Sequence, residues 1–137
     1  MEFKGKFQGA DVYDDYAHHP DELSATVSAV RSAMPGRRIV LAFQPHTYTR
    51  TKALFDDFVR ELKKPDVVIL SEIYAARERN TVGISSLDLA KQIPGAVYCE
   101  TLPEVTDQLR KIVREGDVVI TMGAGDIFRA GEALFEK

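Results

Sequence analysis

Ile39-Val40-Leu41-Ala42-Phe43-Gln44-Pro45-His46-Thr47-Tyr48-Thr49-Arg50-Thr51 changes character after its fifth residue. Five consecutive apolar residues without a period of two read as a strand covered on both faces, which favours a parallel sheet. Three further runs share that first half: Val67-Val68-Ile69-Leu70, Ala96-Val97-Tyr98-Cys99 and Val118-Val119-Ile120-Thr121-Met122. Helical periods lie between them. Leu23, Val27, Val30 and Met34 form one stripe, Leu54, Phe55, Phe58, Val59 and Leu62 a second, and Val105, Leu109, Ile112 and Val113 a third. Weaker helical patterns cover Ser86 to Ile93 and Ile127 to Phe135.

Boundary residues agree with these periods. Pro20 with Asp21 and Glu22 suits a first helical turn, where proline loses no hydrogen bond and carboxylates meet the positive end of the dipole. Pro35-Gly36 stops that helix, and Pro103-Glu104 opens another. At the front, Phe3 to Phe7 and Val12-Tyr13 flank Gln8-Gly9-Ala10, the pattern of a β-hairpin. The expected architecture is a three-layer, Rossmann-like α/β domain over residues 1–137. It has a mostly parallel sheet of about six strands, an amino-terminal hairpin and helices on both faces.

Composition limits the possible functions. With 137 residues the chain has the size of one domain with one sizeable core. A formal charge of -3 gives no nucleic-acid footprint, so no nucleic-acid partner is expected. No apolar run is long enough to span a bilayer and no signal-peptide core is visible, so no membrane partner is expected and the cytoplasm is the default compartment. The one cysteine, Cys99, lies in an apolar run and reads as a buried reduced thiol.

Open α/β sheets bind ligands beyond the carboxyl ends of their strands. The least bland residues fall there: Asp14-Asp15-Tyr16-Ala17-His18-His19-Pro20, Gln44 to Thr51, Glu72-Ile73-Tyr74-Ala75-Ala76-Arg77-Glu78, and Gly123-Ala124-Gly125-Asp126. All three histidines lie in the first two of these loops. Asp14, Asp15, His18 and His19 are suitable metal ligands by type, but adjacent residues in a turn diverge and no further ligand completes a set. The plainer reading has one aspartate capping the helix and His19 packed beside Pro20. Gly123-Ala124-Gly125 reads as an anion-binding turn, or as a glycine turn with Asp126 as N-cap. It is neither a dinucleotide fingerprint nor a P-loop. Arg50 and Arg77 suit carboxylate or phosphate, or else surface salt bridges. Tyr48 and Tyr74 can be edge packing.

On these residues the chain resembles the third domain of the Mur ligases that join L-alanine to UDP-N-acetylmuramate. Asp14 to Pro20 resembles the stretch that opens that domain, and Phe43 to Thr51 its longest motif. Ser71 to Glu78 with Val82-Gly83-Ile84-Ser85-Ser86, and Gly123 to Ile127, are similar to its third and last motifs. The related recycling ligases, which attach whole murein peptides, share the first motif more than the second.

The resemblance implies an ATP-dependent amide ligation in peptidoglycan synthesis. In it the carboxylate of UDP-N-acetylmuramate takes the γ-phosphoryl group of ATP, and the amine of L-alanine displaces phosphate from the acyl phosphate. ATP and Mg2+ belong to the whole enzyme, and neither is expected to be held tightly by this chain. No GxxxxGK[ST] stretch occurs here, so the expected UDP-binding domain and central P-loop domain are the chain's missing partners, and the chain alone is expected to be inactive. Its start directly at the hairpin suggests a boundary set by design.

By the same resemblance Asp15 approaches the nucleotide ribose, and Tyr16 and His18 face the reacting centre. His46 and Arg50 serve the acyl-phosphate and alanine-carboxylate region, and Gly123, Ala124 and Gly125 offer backbone N–H groups. His18, His46 and Arg50 are the candidate catalytic residues. Two other readings remain open: a free-standing nucleotide- or anion-binding module, and a small metal-dependent hydrolase built on the Asp and His residues.

Overall fold

Gln8 and Gly9 both adopt left-handed φ angles, 52° and 81°, as a two-residue hairpin turn with matching twist requires. They join β1 (Glu2–Phe7) to β2 (Ala10–Asp15), with Phe7 opposite Ala10. Ala10 is therefore the first residue of a strand rather than the last of the turn. The computed structural model describes residues 1–136, and Lys137, the end of the expected domain, lies outside the described residues.

After the hairpin come α1 (Pro20–Ala33), β3 (Ile39–Phe43), α2 (Tyr48–Ala53), α3 (Phe55–Leu62) and β4 (Val67–Ser71). Then follow α4 (Ser86–Gln92), β5 (Val97–Cys99), α5 (Leu102–Ile112), β6 (Val118–Met122), α6 (Phe128–Glu132) and a 3-10 turn at Ala133–Phe135. The stripe residues Phe55, Phe58, Val59 and Leu62 lie on α3, and Leu54 caps it. Leu54, at φ -109° and ψ 21°, separates it from the short α2.

All five residues of β3 and of β6 are buried, as covered parallel strands require. The period of two exists but separates one apolar set from another. Ile39, Leu41, Phe43, Ile120 and Met122 pack with Leu23 and Val27 of α1, Phe58 and Leu62 of α3, and Leu89 of α4. Val40, Ala42, Ile69 and Val119 pack with Val105 and Leu109 of α5, Ile127 and Leu134. Each large fully buried side chain contributes about 1.5–3 kcal/mol by leaving water, so the two cores together hold the three layers.

The sheet order is β1-β2-β6-β3-β4-β5, with β1 antiparallel and the rest parallel. The last strand thus inserts between β2 and β3. Met122 pairs with both Asp15 and Phe43, so three loops leave the sheet level with one another.

Candidate functional site

Asp15 ends β2, and its carboxylate folds back on its own chain. Oδ1 accepts from the Ala17 N–H at 3.0 Å, and Oδ2 from the Thr26 hydroxyl at 2.7 Å. Neither aspartate caps α1. His19 does so, its Nδ1 accepting from the Asp21 N–H at 3.4 Å. Glu22 completes a capping box by accepting from the N–H groups of His18 and His19. Those two bonds, His18 first, hold the Glu22 carboxyl below its ordinary value. Asp14 differs: burial raises its pKa, and the Thr121 hydroxyl, donating at 2.8 Å, only partly offsets that.

The capped turn projects Tyr16, 71% exposed, and His18 over the strand ends. Tyr16 stands edge-on to His18 with centroids 5.9 Å apart. His18 lies 5.7 Å from His46, and His46 lies 5.6 Å from Tyr74 at 31°. The loops after β2, β3 and β4 therefore meet in one row of four rings. The ladder between β3 and β4 resumes beneath it: Thr47 N–H donates to the Tyr74 carbonyl and Tyr74 N–H to the Pro45 carbonyl, both at 2.9 Å.

The glycine turn after β6 supports this row. A methyl group on Gly125 would sit 2.5 Å from Tyr74 Cγ and 2.6 Å from Gln44 Oε1, so only glycine fits. Gln44, 5% exposed, accepts from the N–H groups of Asp126 and Ile127 through Oε1 and donates to Asp126 Oδ1 at 2.8 Å. Asp126 is thus tied to Gln44 and is not the expected N-cap, which is Ile127 with no side-chain bond. Gly123 N–H donates to the Asp15 carbonyl at 3.0 Å, which takes it out of the expected set of free donors. Among the described residues no protein acceptor meets the N–H of Ala124 or Gly125.

His46 precedes α2 instead of lying on it, so it shares no helix face with Arg50. The Thr47 turn brings them together instead. Thr47, at φ 66°, caps the helix by accepting from Arg50 N–H at 3.4 Å. Burial lowers the pKa of His46, and the charges of His18 and Arg50 lower it further against an opposing contribution from Glu78. Its imidazole is neutral at neutral pH, and its buried Nδ1 has no partner among the described residues. Arg50 is partly buried and Arg77 exposed, and among the described residues neither forms an ion pair. The salt-bridge reading of these two arginines therefore has no acidic partner.

Two acids at the end of β4 had no role in the sequence reading. Glu72 accepts from Tyr98 Oη, from Ser85 Oγ at 2.8 Å, and from the N–H groups of Ile73 and Ser86. Burial works to raise its pKa, and these bonds outweigh it. Burial and that same acceptor push Tyr98 up to about 12. Glu78 accepts from the N–H groups of Tyr48 and Thr49. A glutamate that closes a loop can be suspected from sequence, but its partners 30 residues away cannot. No three His, Cys, Asp or Glu side chains converge among the described residues, so Asp14, Asp15, His18 and His19 make no ligand set for the hydrolase reading.

Residues 1–125 match the family described as Mur ligase, glutamate ligase domain. The UDP-N-acetylmuramate–L-alanine ligase of Lachnospira eligens is 48% identical over 140 residues, covering 99% of this chain and 30% of that protein. The solved UDP-N-acetylmuramate–alanine ligase of Thermotoga maritima is 29% identical with a TM-score of 0.70, over 94% of this chain and 26% of that one. A solved domain assigned to a Haemophilus ducreyi UDP-N-acetylmuramate:L-alanyl-γ-D-glutamyl-diaminopimelate ligase shares the fold. Its TM-score is 0.74 at 21% identity, over 97% and 94% of the two chains. The chain spans about 30% of the length of the curated relatives it matches.

Proposed function

This chain belongs to the Mur ligase family, and on that premise we propose that it is the carboxy-terminal domain of a ligase that joins L-alanine to UDP-N-acetylmuramate with ATP. The observation that carries the reading is Arg50. It is a partly buried arginine without an acidic partner among the described residues, beside a histidine whose pKa is lowered, where three strand-end loops meet.

The proposed chemistry runs through two displacements. The muramyl carboxylate attacks the γ-phosphorus of ATP and ADP leaves. The alanine amine then attacks the acyl carbon, loses a proton, and phosphate leaves. Both steps spread negative charge over oxygens, so a preorganised cation lowers the barrier. Arg50 supplies a planar fork for the alanine carboxylate or the acyl phosphate. His46 offers a hydrogen bond from a neutral ring, and His18 and Tyr16 face the same space. The N–H groups of Ala124 and Gly125 remain to receive the amino-acid carboxylate. Asp15 reaches the ribose with oxygens already oriented by Ala17 and Thr26.

UDP binding, the phosphate cradle and its lysine are assigned to two further domains. Among the described residues no group of three His, Cys, Asp or Glu side chains converges to hold a metal without substrate, and no step here runs through Mg2+.

The test is Arg50→Ala in the whole ligase. The expected loss in kcat/KM for L-alanine is about 2–4 kcal/mol, with Arg50→Lys recovering part of it, because an ammonium cannot reproduce the fork. The thermal midpoint should stay with the parent. Parent-like kinetics would remove Arg50 from the site. A free-standing anion-binding module would use the same cations. Alanine-dependent phosphate release on supplying the other two domains separates it from the ligase reading.

A further inference from the structure

Helix α2 carries Arg50 but is only six residues long, too short to hold its own direction. Its first turn is bonded from outside. The Glu78 carboxylate accepts from Tyr48 N–H at 2.7 Å, from Thr49 N–H at 3.1 Å, and from the Thr49 hydroxyl. These bonds have a second effect. They engage a carboxylate whose charge is felt by Arg50, and among the described residues the guanidinium remains unpaired.

The clamp is bracketed by two left-handed residues that are not glycine, Thr47 at φ 66° and Ala76 at φ 56°. A β-branched residue at such an angle is an outlier, and it persists only where surrounding bonds over-determine it. Here those bonds are the Thr47–Tyr74 ladder on one side and Glu78 on the other.

We propose that Glu78 is a positioning residue whose carboxylate, bonded across to the first turn of α2, sets the direction in which Arg50 and His46 meet an anionic group of the substrate at the strand ends. The proposal rests on the reading of Arg50 given above, and it assigns Glu78 no contact with substrate.

The experiment compares Glu78→Ala, Glu78→Gln and Arg50→Ala in the whole ligase. Glu78→Ala raises KM for L-alanine about tenfold, the scale of one charge-assisted hydrogen bond, with kcat and thermal midpoint near the parent. Glu78→Gln keeps an oxygen for the Tyr48 N–H and recovers most of the loss. Adding Glu78→Ala to Arg50→Ala brings no further loss, because residues acting through one another are not additive. An unchanged KM in Glu78→Ala, the same loss in both backgrounds, or a fall in midpoint without rescue by glutamine would overturn the proposal. A parent-like kcat/KM for Arg50→Ala would instead count against the functional reading. Glu78 is then judged on the 137-residue chain, by nuclear magnetic resonance of the Tyr48–Arg50 amides and the His46 ring. Signals displaced by Glu78→Ala and restored by Glu78→Gln support the positioning role, and undisplaced signals refute it.

Discussion

The two ends of this sheet use the same residue types in opposite ways. At the amino ends of the strands, arginine and aspartate are paired. Arg38 grips Asp117 through two nitrogens at 3.0 and 2.7 Å, Arg37 reaches Asp11 at 2.9 Å, and Arg31 reaches Asp66 at 2.8 Å. Asp66 and Asp117 also accept the N–H groups of Ile39 and Arg114, so the charges finish the backbone where strands begin. At the carboxyl ends, acids bond to backbone and hydroxyl groups, while among the described residues Arg50 and Arg77 form no ion pair with them. Charge that is satisfied within the chain stabilises it, whereas charge left open can serve a ligand.

The largest expected effect breaks the paired end. Asp117 is 3% exposed, and Asp117→Ala strands Arg38 and the Arg114 N–H. The expected cost is about 3 kcal/mol, the low end for breaking a buried pair because Arg38 is partly exposed. Denaturant unfolding measures it, and a cost near zero would mean that the paired end is no more structural than the open one.

Gly125→Ala is the corresponding test of the open end, since the new methyl must displace Tyr74 and Gln44. A loss of about 2 kcal/mol is expected for overpacking, together with altered ring signals of His46. A variant as stable as the parent would show that the glycine turn is loosely held.

Acid sharpens the same contrast. Partial desolvation works to raise the pKa of Asp66 and of Glu72, yet hydrogen bonds from Arg31 and Ile39 to the first, and from Tyr98, Ile73 and Ser85 to the second, leave both below their ordinary values of 3.8 and 4.5. Groups lowered on folding stabilise fully above those ordinary values, and that stability is lost as pH falls through the folded values. Asp14 runs the other way. Burial raises it, so its favourable contribution is complete below 3.8 and disappears as pH rises through its folded value. Asp14→Asn should therefore raise stability at neutral pH, with the gain vanishing in acid. A loss at neutral pH would mean that the Thr121 bond outweighs burial. The smallest effect belongs to Arg77→Ala, exposed and unpaired, whose midpoint should shift by no more than about 0.5 kcal/mol in equivalent stability.

Much of this molecule was legible in the order of its residues. Largely apolar runs without a period of two at Ile39–Phe43 and Val118–Met122 favour buried parallel strands, because helices on both faces of such a sheet remove both alternating sets from water. Proline and acid at the front of α1, and left-handed Gly9 in the hairpin, act through neighbouring residues and fixed the boundaries to within a residue or two. The polar loops at the strand ends followed from the same period, and with them the expectation of a site there.

Tertiary structure alone decided what those loops do to one another. The insertion of β6 between β2 and β3 sets the glycine turn under the ring row, takes the Gly123 N–H for Asp15, and gives Gln44 to Asp126. The pairing of β3 with β4, extended by the His46–Tyr74 bridge, carries Glu78 to α2, and among the described residues Arg50 forms no ion pair. A periodic pattern reports which face of an element is apolar, a local property of the chain. Hydrogen-bond partners 30 or 82 residues apart depend on strand order and register, and these are set by how the two cores close.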